Sequence, residues 1–138
     1  MENNWIYWGV FLDAASRESL FDVLPPIPDG YKPYGDHMTI IYNDGSENAQ
    51  KWGEICKKQK GQKVTLSATH YGVSDKAIAV KVNGFPSNNK QPHITVATSP
   101  IGRPVDSNKI EHWEKLSEPI FLIGTVNCFV PKNKKPQE

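Results

Sequence analysis

The chain has 138 residues, 38% apolar and 22% charged, with sixteen basic against fifteen acidic side chains and a net charge of +1. That length suits one domain with its own core, and no apolar run approaches the roughly 18 residues that span a bilayer. The even charge balance argues against a large double-stranded nucleic-acid footprint, and the polar start Met1-Glu2-Asn3-Asn4 has no secretory pattern, so a soluble cytoplasmic protein is expected.

In chain order, Trp5 to Leu12 is aromatic and branched and predicts a strand. Asp13 is a helix N-cap, followed by Leu20, Phe21 and Leu24 at helical spacing and a stop at Pro25-Pro26. The loop from Pro26 to Asp36 leads into a strand expected to run from Asp36 to Tyr42. Asn43-Asp44-Gly45 signals a turn and Ser46 caps a second helix, with Ala49, Trp52, Cys56 and Gln59 on one face. Lys57, Lys58 and Lys60 read as a solvated helix end closed by Gly61, with a phosphate patch as the alternative. Lys63–Val73 and Ala77–Val82 predict a hairpin turning at Ser74-Asp75-Lys76. The turn-forming segment 83–92 is a connection or a lid, and a strand follows from His93 to Thr98. Ser107 is expected to cap a short helix with Ile110 and Trp113 inward, and Pro119–Val130 to form the last strand, with Ile120, Leu122, Val126 and Cys128 on one face. The order β-α-β-α-β-β-β-α-β indicates an α+β domain over residues 1–130, with 131–138 a flexible basic tail. Cys56 and Cys128 show no metal spacing and read as buried thiols.

Two stretches repeat one pattern: His37-Met38-Thr39-Ile40, and 56 residues later His93-Ile94-Thr95-Val96. Side chains alternate along a strand, so each stretch puts His and Thr on one face and two apolar residues on the other. His70 and His112 lack this pattern. One His-x-Thr is more often a core histidine than a catalyst; two matching copies point to a shared cleft. Two imidazoles suit phosphodiester cleavage, which needs one proton taken from the attacking hydroxyl or water and one given to the leaving oxygen. Imidazole titrates near 6.5, so both protonation states are accessible at neutral pH. Threonine hydroxyls can donate to the non-bridging phosphate oxygens. No His-x-x-x-His or Cys-x-x-Cys spacing is present, so neither metal nor other cofactor is expected. Asp36 is expected to point away from His37, and unbroken alternation puts Tyr42 on the core face.

Aromatic candidates for stacking on a base are Trp5, Tyr7, Trp8 and Tyr34, against core packing as the commoner role. Lys90 and Arg103 are candidates to neutralise a phosphate, against the plainer reading of solvated charge.

The paired His-x-Thr-x stretches at 37–40 and 93–96 resemble the signature of the 2H phosphoesterase superfamily. The resemblance implies a bilobal α+β fold, each pseudo-symmetric lobe giving one motif to a central cleft. It implies His37 and His93 as the acid/base pair and Thr39 and Thr95 as phosphate clamps. It also implies a nucleotide substrate: a 2′,3′-cyclic phosphate at an RNA end, or a cyclic or 2′-5′-linked oligonucleotide signal. The small size and single domain would suit evasion of nucleotide-based immunity by removal of such a signal. A monomer is expected. A non-catalytic module that binds such a ligand is the alternative.

Overall fold

The structure, a computed structural model, describes residues 4–130; the basic tail expected at 131–138 lies outside the described residues. Its elements are β1 (Tyr7–Leu12), α1 (Ala14–Val23), β2 (Lys32–Pro33), β3 (His37–Tyr42) and α2 (Glu47–Gln59), then β4 (Lys63–Val73), β5 (Ala77–Asn83), β6 (His93–Thr98), a 3₁₀ helix (Pro104–Lys109) and β7 (Trp113–Phe129). Among the described residues no helix is long and apolar enough to cross a membrane.

Both helices start where the capping residues dictate. Asp13 Oδ1 accepts the Ser16 N–H at 3.1 Å, and Ser46 Oγ accepts the Ala49 N–H at 3.1 Å, each satisfying one orphan donor of the first turn. Leu20 from α1, Leu24 at its C-cap, and Ala49 and Cys56 from α2 join the main core. Lys57 and Lys58 at the end of α2 are exposed, and Lys57 pairs with Glu54 at 3.7 Å, as a solvated helix end should.

The strands form one antiparallel sheet in the order β2-β6-β3-β1-β7-β4-β5, and a further β5–β6 pairing closes six of them into a barrel. The domain is therefore a mixed α/β unit built on a single closed sheet, rather than two separate sheets. Its least-zipped seam is between β3 and β6, which pair only at Met38↔Ile94. Segment 84–92 is fastened there instead. The Asn88 N–H donates to the Ile40 carbonyl at 2.8 Å, and Ser87 Oγ to the Thr39 carbonyl at 2.9 Å. This segment is pinned to β3, which limits its freedom to act as a lid.

Alternation sorts the two motif strands as their sequences require. Met38, Ile40, Ile94 and Val96 are all at most 1% exposed and belong to the core, leaving His37, Thr39, His93 and Thr95 on the opposite face.

Several elements differ from the sequence reading, beginning with β2, which forms inside the expected loop 26–36 by pairing Lys32 with Thr98 and Pro33 with Ala97. Ser107 does not open a helix; it is buried within the 3₁₀ helix, whose first turn is held by Asp106 Oδ2 accepting the Arg103 N–H at 2.9 Å. The last strand begins at Trp113, not Pro119. Proline lacks a ladder donor, but β4 breaks register between Ala68 (opposite Ile120) and His70 (opposite Lys115), so Pro119 falls where the ladder is interrupted.

Candidate functional site

The β3/β6 seam opens into a cleft of about 650 Å³, within the size range of small-ligand sites, and all four motif residues line it. A separate open hollow of about 420 Å³ beside Arg17 and Phe21 holds neither histidine.

His37 lies on an aromatic bed. Its ring stacks on Tyr7 with centroids 4.7 Å apart and on Phe11 at 5.4 Å, and Tyr7 continues the row to Phe129 at 5.3 Å. The sequence makes room for this with Gly9 between Tyr7 and Phe11 on the same face. A Cβ there would come within 2.7 Å of the Met38 carbonyl oxygen. His37 Nδ1 lies 3.0 Å from Asp36 Oδ1, and Nε2 lies 3.2 Å from Thr39 Oγ1. The hydrogen bond from His37 holds the Asp36 carboxyl below the usual carboxylate range, against a smaller opposing effect of burial. An ionised carboxylate only accepts, so His37 Nδ1 carries a proton.

His93 is 9% exposed. Its Nδ1 lies 2.9 Å from the Gln91 carbonyl, which can only accept, so Nδ1 is protonated and Nε2 of the neutral ring has a free lone pair. Burial pushes the His93 pKa down; the Gln91 carbonyl opposes that, and the nearby His37 adds to it. The same motif thus yields one imidazole beside an anion and one held neutral. Tyr7, raised to about 12 by burial and then by the Asp36 charge, keeps its hydroxyl hydrogen.

The two threonines also differ. Thr39 faces the His37 ring, whereas Thr95 Oγ1 lies 2.8 Å from Ser107 Oγ and 3.4 Å from the Pro104 carbonyl. Two hydroxyls share two hydrogens, and one is used between them; the other is available to a ligand oxygen or to Pro104. Among the described residues, no three His, Cys, Asp or Glu side chains converge as metal ligands would.

The chain matches no family model and no curated protein. Among solved structures it is similar to a fungal RNA kinase, with a TM-score of 0.60 at 13% sequence identity over 94% of this chain. The match takes in 45% of that chain, so this protein spans under half of its neighbour's length. At that identity the likeness is one of fold.

Of the residues singled out in the sequence, Tyr34 and Tyr7 line the cleft along with the motif pairs. Trp8 does not. It is 3% exposed in the core, because it alternates with Tyr7 on β1, and Trp5 is packed there too. Arg103 is exposed and serves the 3₁₀ helix through its backbone; its side chain does not line the cleft. Lys90 is exposed and faces a neighbouring pocket.

Asp36 was expected on the far face but lies at the site, because β3 begins at His37 and strand alternation does not govern the residue before it. Tyr42 was expected in the core. The β1/β3 register slips between Trp8 (opposite Ile41) and Gly9 (opposite Thr39), so Ile40 and Ile41 are both buried and Tyr42 returns to the cleft face, 61% exposed. Phe129, Asn89, Ser107 and Asn108 went unremarked as site residues. Only Phe129 had a signal, since its aromatic ring falls on the exposed side of the strand's alternation.

Proposed function

We propose that this protein is a metal-independent phosphodiesterase of the 2H type, a cytoplasmic monomer acting on a nucleotide or RNA end through His37 and His93. The observation that carries this reading is the pairing of two motif histidines in one cleft with different partners: a buried imidazole whose Nδ1 is held by a backbone carbonyl, and a second whose Nδ1 is held by a carboxylate.

In this reading a phosphate lies between the two rings. His93 Nε2 accepts the proton of the attacking hydroxyl, from water or an adjacent ribose, as the new P–O bond forms. The opposite P–O bond breaks, and its oxygen takes a proton from His37 Nε2, while the Asp36 carboxylate holds the ring through Nδ1. Solvent exchange then restores both protonation states. Thr39 and the Thr95–Ser107 pair donate to the non-bridging oxygens, where charge accumulates. The bilobal division fits the sheet order, with β3-β1-β7 supplying His37 and β6-β5-β4 supplying His93 on either side of the loosely paired seam. The fold likeness to an RNA kinase agrees with an RNA-related substrate without specifying one.

The test is turnover, in EDTA, of a 2′,3′-cyclic mononucleotide, a 2′-5′ diadenylate and cyclic di- and trinucleotides, with the His37→Ala protein as control. The reading expects cleavage of at least one substrate, lost in the variant. Tight binding without cleavage of any would replace it with a binding module.

A further inference from the structure

His93 has a second hollow on its other side. A pocket of about 230 Å³ is lined by Lys90, Gln91, Ile110 and Trp113, and it shares His93 and Asn108 with the main cleft. The two spaces therefore adjoin across the buried imidazole.

This second pocket is built rather than incidental. Trp113 Nε1 donates to the Ile110 carbonyl at 3.1 Å, fixing the indole, and the ring packs on Gly72, where a Cβ would collide with it. Ile110 and Trp113 cluster with Ala77 and Ala79, so the apolar wall is anchored to β5. Lys81, opposite His93 on the adjacent strand, holds its ammonium 4.9 Å from the Trp113 ring centroid. Amides and a cation complete the lining. Asn108 Nδ2 donates to the Val105 carbonyl at 3.2 Å, which leaves its Oδ1 as an acceptor, and the exposed Gln91 and Lys90 side chains edge the opening. An apolar wall in one pocket with Asn, Gln and Lys is the chemistry that holds a nucleobase by its face and reads its polar edge.

The main cleft offers the other platform: Tyr7 and Phe129 stack in its wall, and Tyr42 is exposed along it. Aromatic rings of this kind accept a base on their faces with little sequence preference.

We infer that the substrate carries a nucleoside on each side of His93, one on the Tyr7–Phe129 platform and one in the Lys90–Trp113 pocket. The preferred substrate is thus an oligonucleotide of at least two nucleosides rather than a cyclic mononucleotide. This rests on the proposed phosphodiesterase activity and narrows its substrate class. Two sources present the same chemistry, an RNA end and a cyclic or 2′-5′-linked oligonucleotide.

The experiment compares kcat/KM for a 2′,3′-cyclic mononucleotide, a dinucleotide ending in the same cyclic phosphate, a 2′-5′ diadenylate and a cyclic dinucleotide. It uses the intact chain and a Lys90→Ala/Gln91→Ala variant, whose altered side chains are exposed and whose Gln91 carbonyl is retained. The expected result is a preference of at least tenfold for a two-nucleoside substrate over the mononucleotide, collapsing toward unity in the variant. Which two-nucleoside substrate leads distinguishes the RNA end from the signal. Equal rates on mononucleotide and dinucleotide, or a preference the variant leaves intact, overturn the two-nucleoside assignment while the phosphodiesterase reading stands. Turnover of none of the four overturns both.

Discussion

The β3 and β6 ends of the cleft carry the same four-residue pattern in opposite surroundings. His37 is half-buried, stacked on Tyr7 and Phe11, and faces the Asp36 carboxylate; His93 is buried and hydrogen-bonded to a backbone carbonyl. The repeat sets where each imidazole stands, and its neighbours set which proton it holds. A motif match alone therefore identifies a pair of groups without dividing the labour between them. In the proposed reaction the neighbours do that, making His93 the base and His37 the acid.

The largest expected effect comes from removing either member. His37→Ala and His93→Ala should each lower kcat by about 10²–10⁴-fold, the usual worth of a positioned acid or base, with the circular-dichroism spectrum unchanged. A near wild-type rate for either would remove that histidine from the reaction.

The threonines should separate. Thr39→Val removes a hydroxyl that lies 3.2 Å from His37 Nε2 and should cost about 10²-fold in kcat, in the range of a lost oxyanion donor. Thr95→Val should cost less in rate, because Ser107 remains to donate, yet about 1 kcal/mol in stability from the broken hydroxyl pair. Equal rate losses would mean that the Thr95–Ser107 pair is not shared in this way.

Asp36→Asn removes the anion beside His37 while keeping the side chain's size. We expect kcat to fall by roughly tenfold, with KM for an uncharged-base analogue series unaltered in rank. An unchanged kcat would leave Asp36 as a structural partner only.

The smallest effect is on stability against pH. The fold depresses the His93 pKa, so its contribution is fully present above the ordinary value of about 6.5 and is lost as pH falls through the lower folded value. Asp36 is depressed too, but from 3.8, so its contribution is lost only at more acid pH. Thermal melts should thus show a decline setting in below about pH 6.5 that His93→Gln flattens. A decline of the same size in that variant would locate the titration elsewhere.

Much of the fold was legible in the chain. The hairpin Lys63–Val73 with Ala77–Asn83, and both helix caps, follow from local signals: alternation, turn formers, and side-chain oxygens placed three residues before a free N–H. The motif residues were legible for the same reason, since period-two alternation fixes a face without regard to partners. Trp8, Asp36 and Tyr42 were misplaced because each depends on something nonlocal: which face of β1 meets the core, where β3 begins, and where its register slips against β1.

By itself, then, the sequence determined most of the elements, though not β2 or the start of β7, and the face on which His37, Thr39, His93 and Thr95 stand, because hydrogen-bonding and packing preferences act over a few residues. Only the tertiary structure decided that the sheet closes on itself, that its seam at Met38↔Ile94 opens beside a second pocket, and that one imidazole meets a carboxylate while its twin is buried against a carbonyl. Protonation depends on desolvation and on charges a few ångströms away, and those neighbours are brought together by chain closure across distant segments.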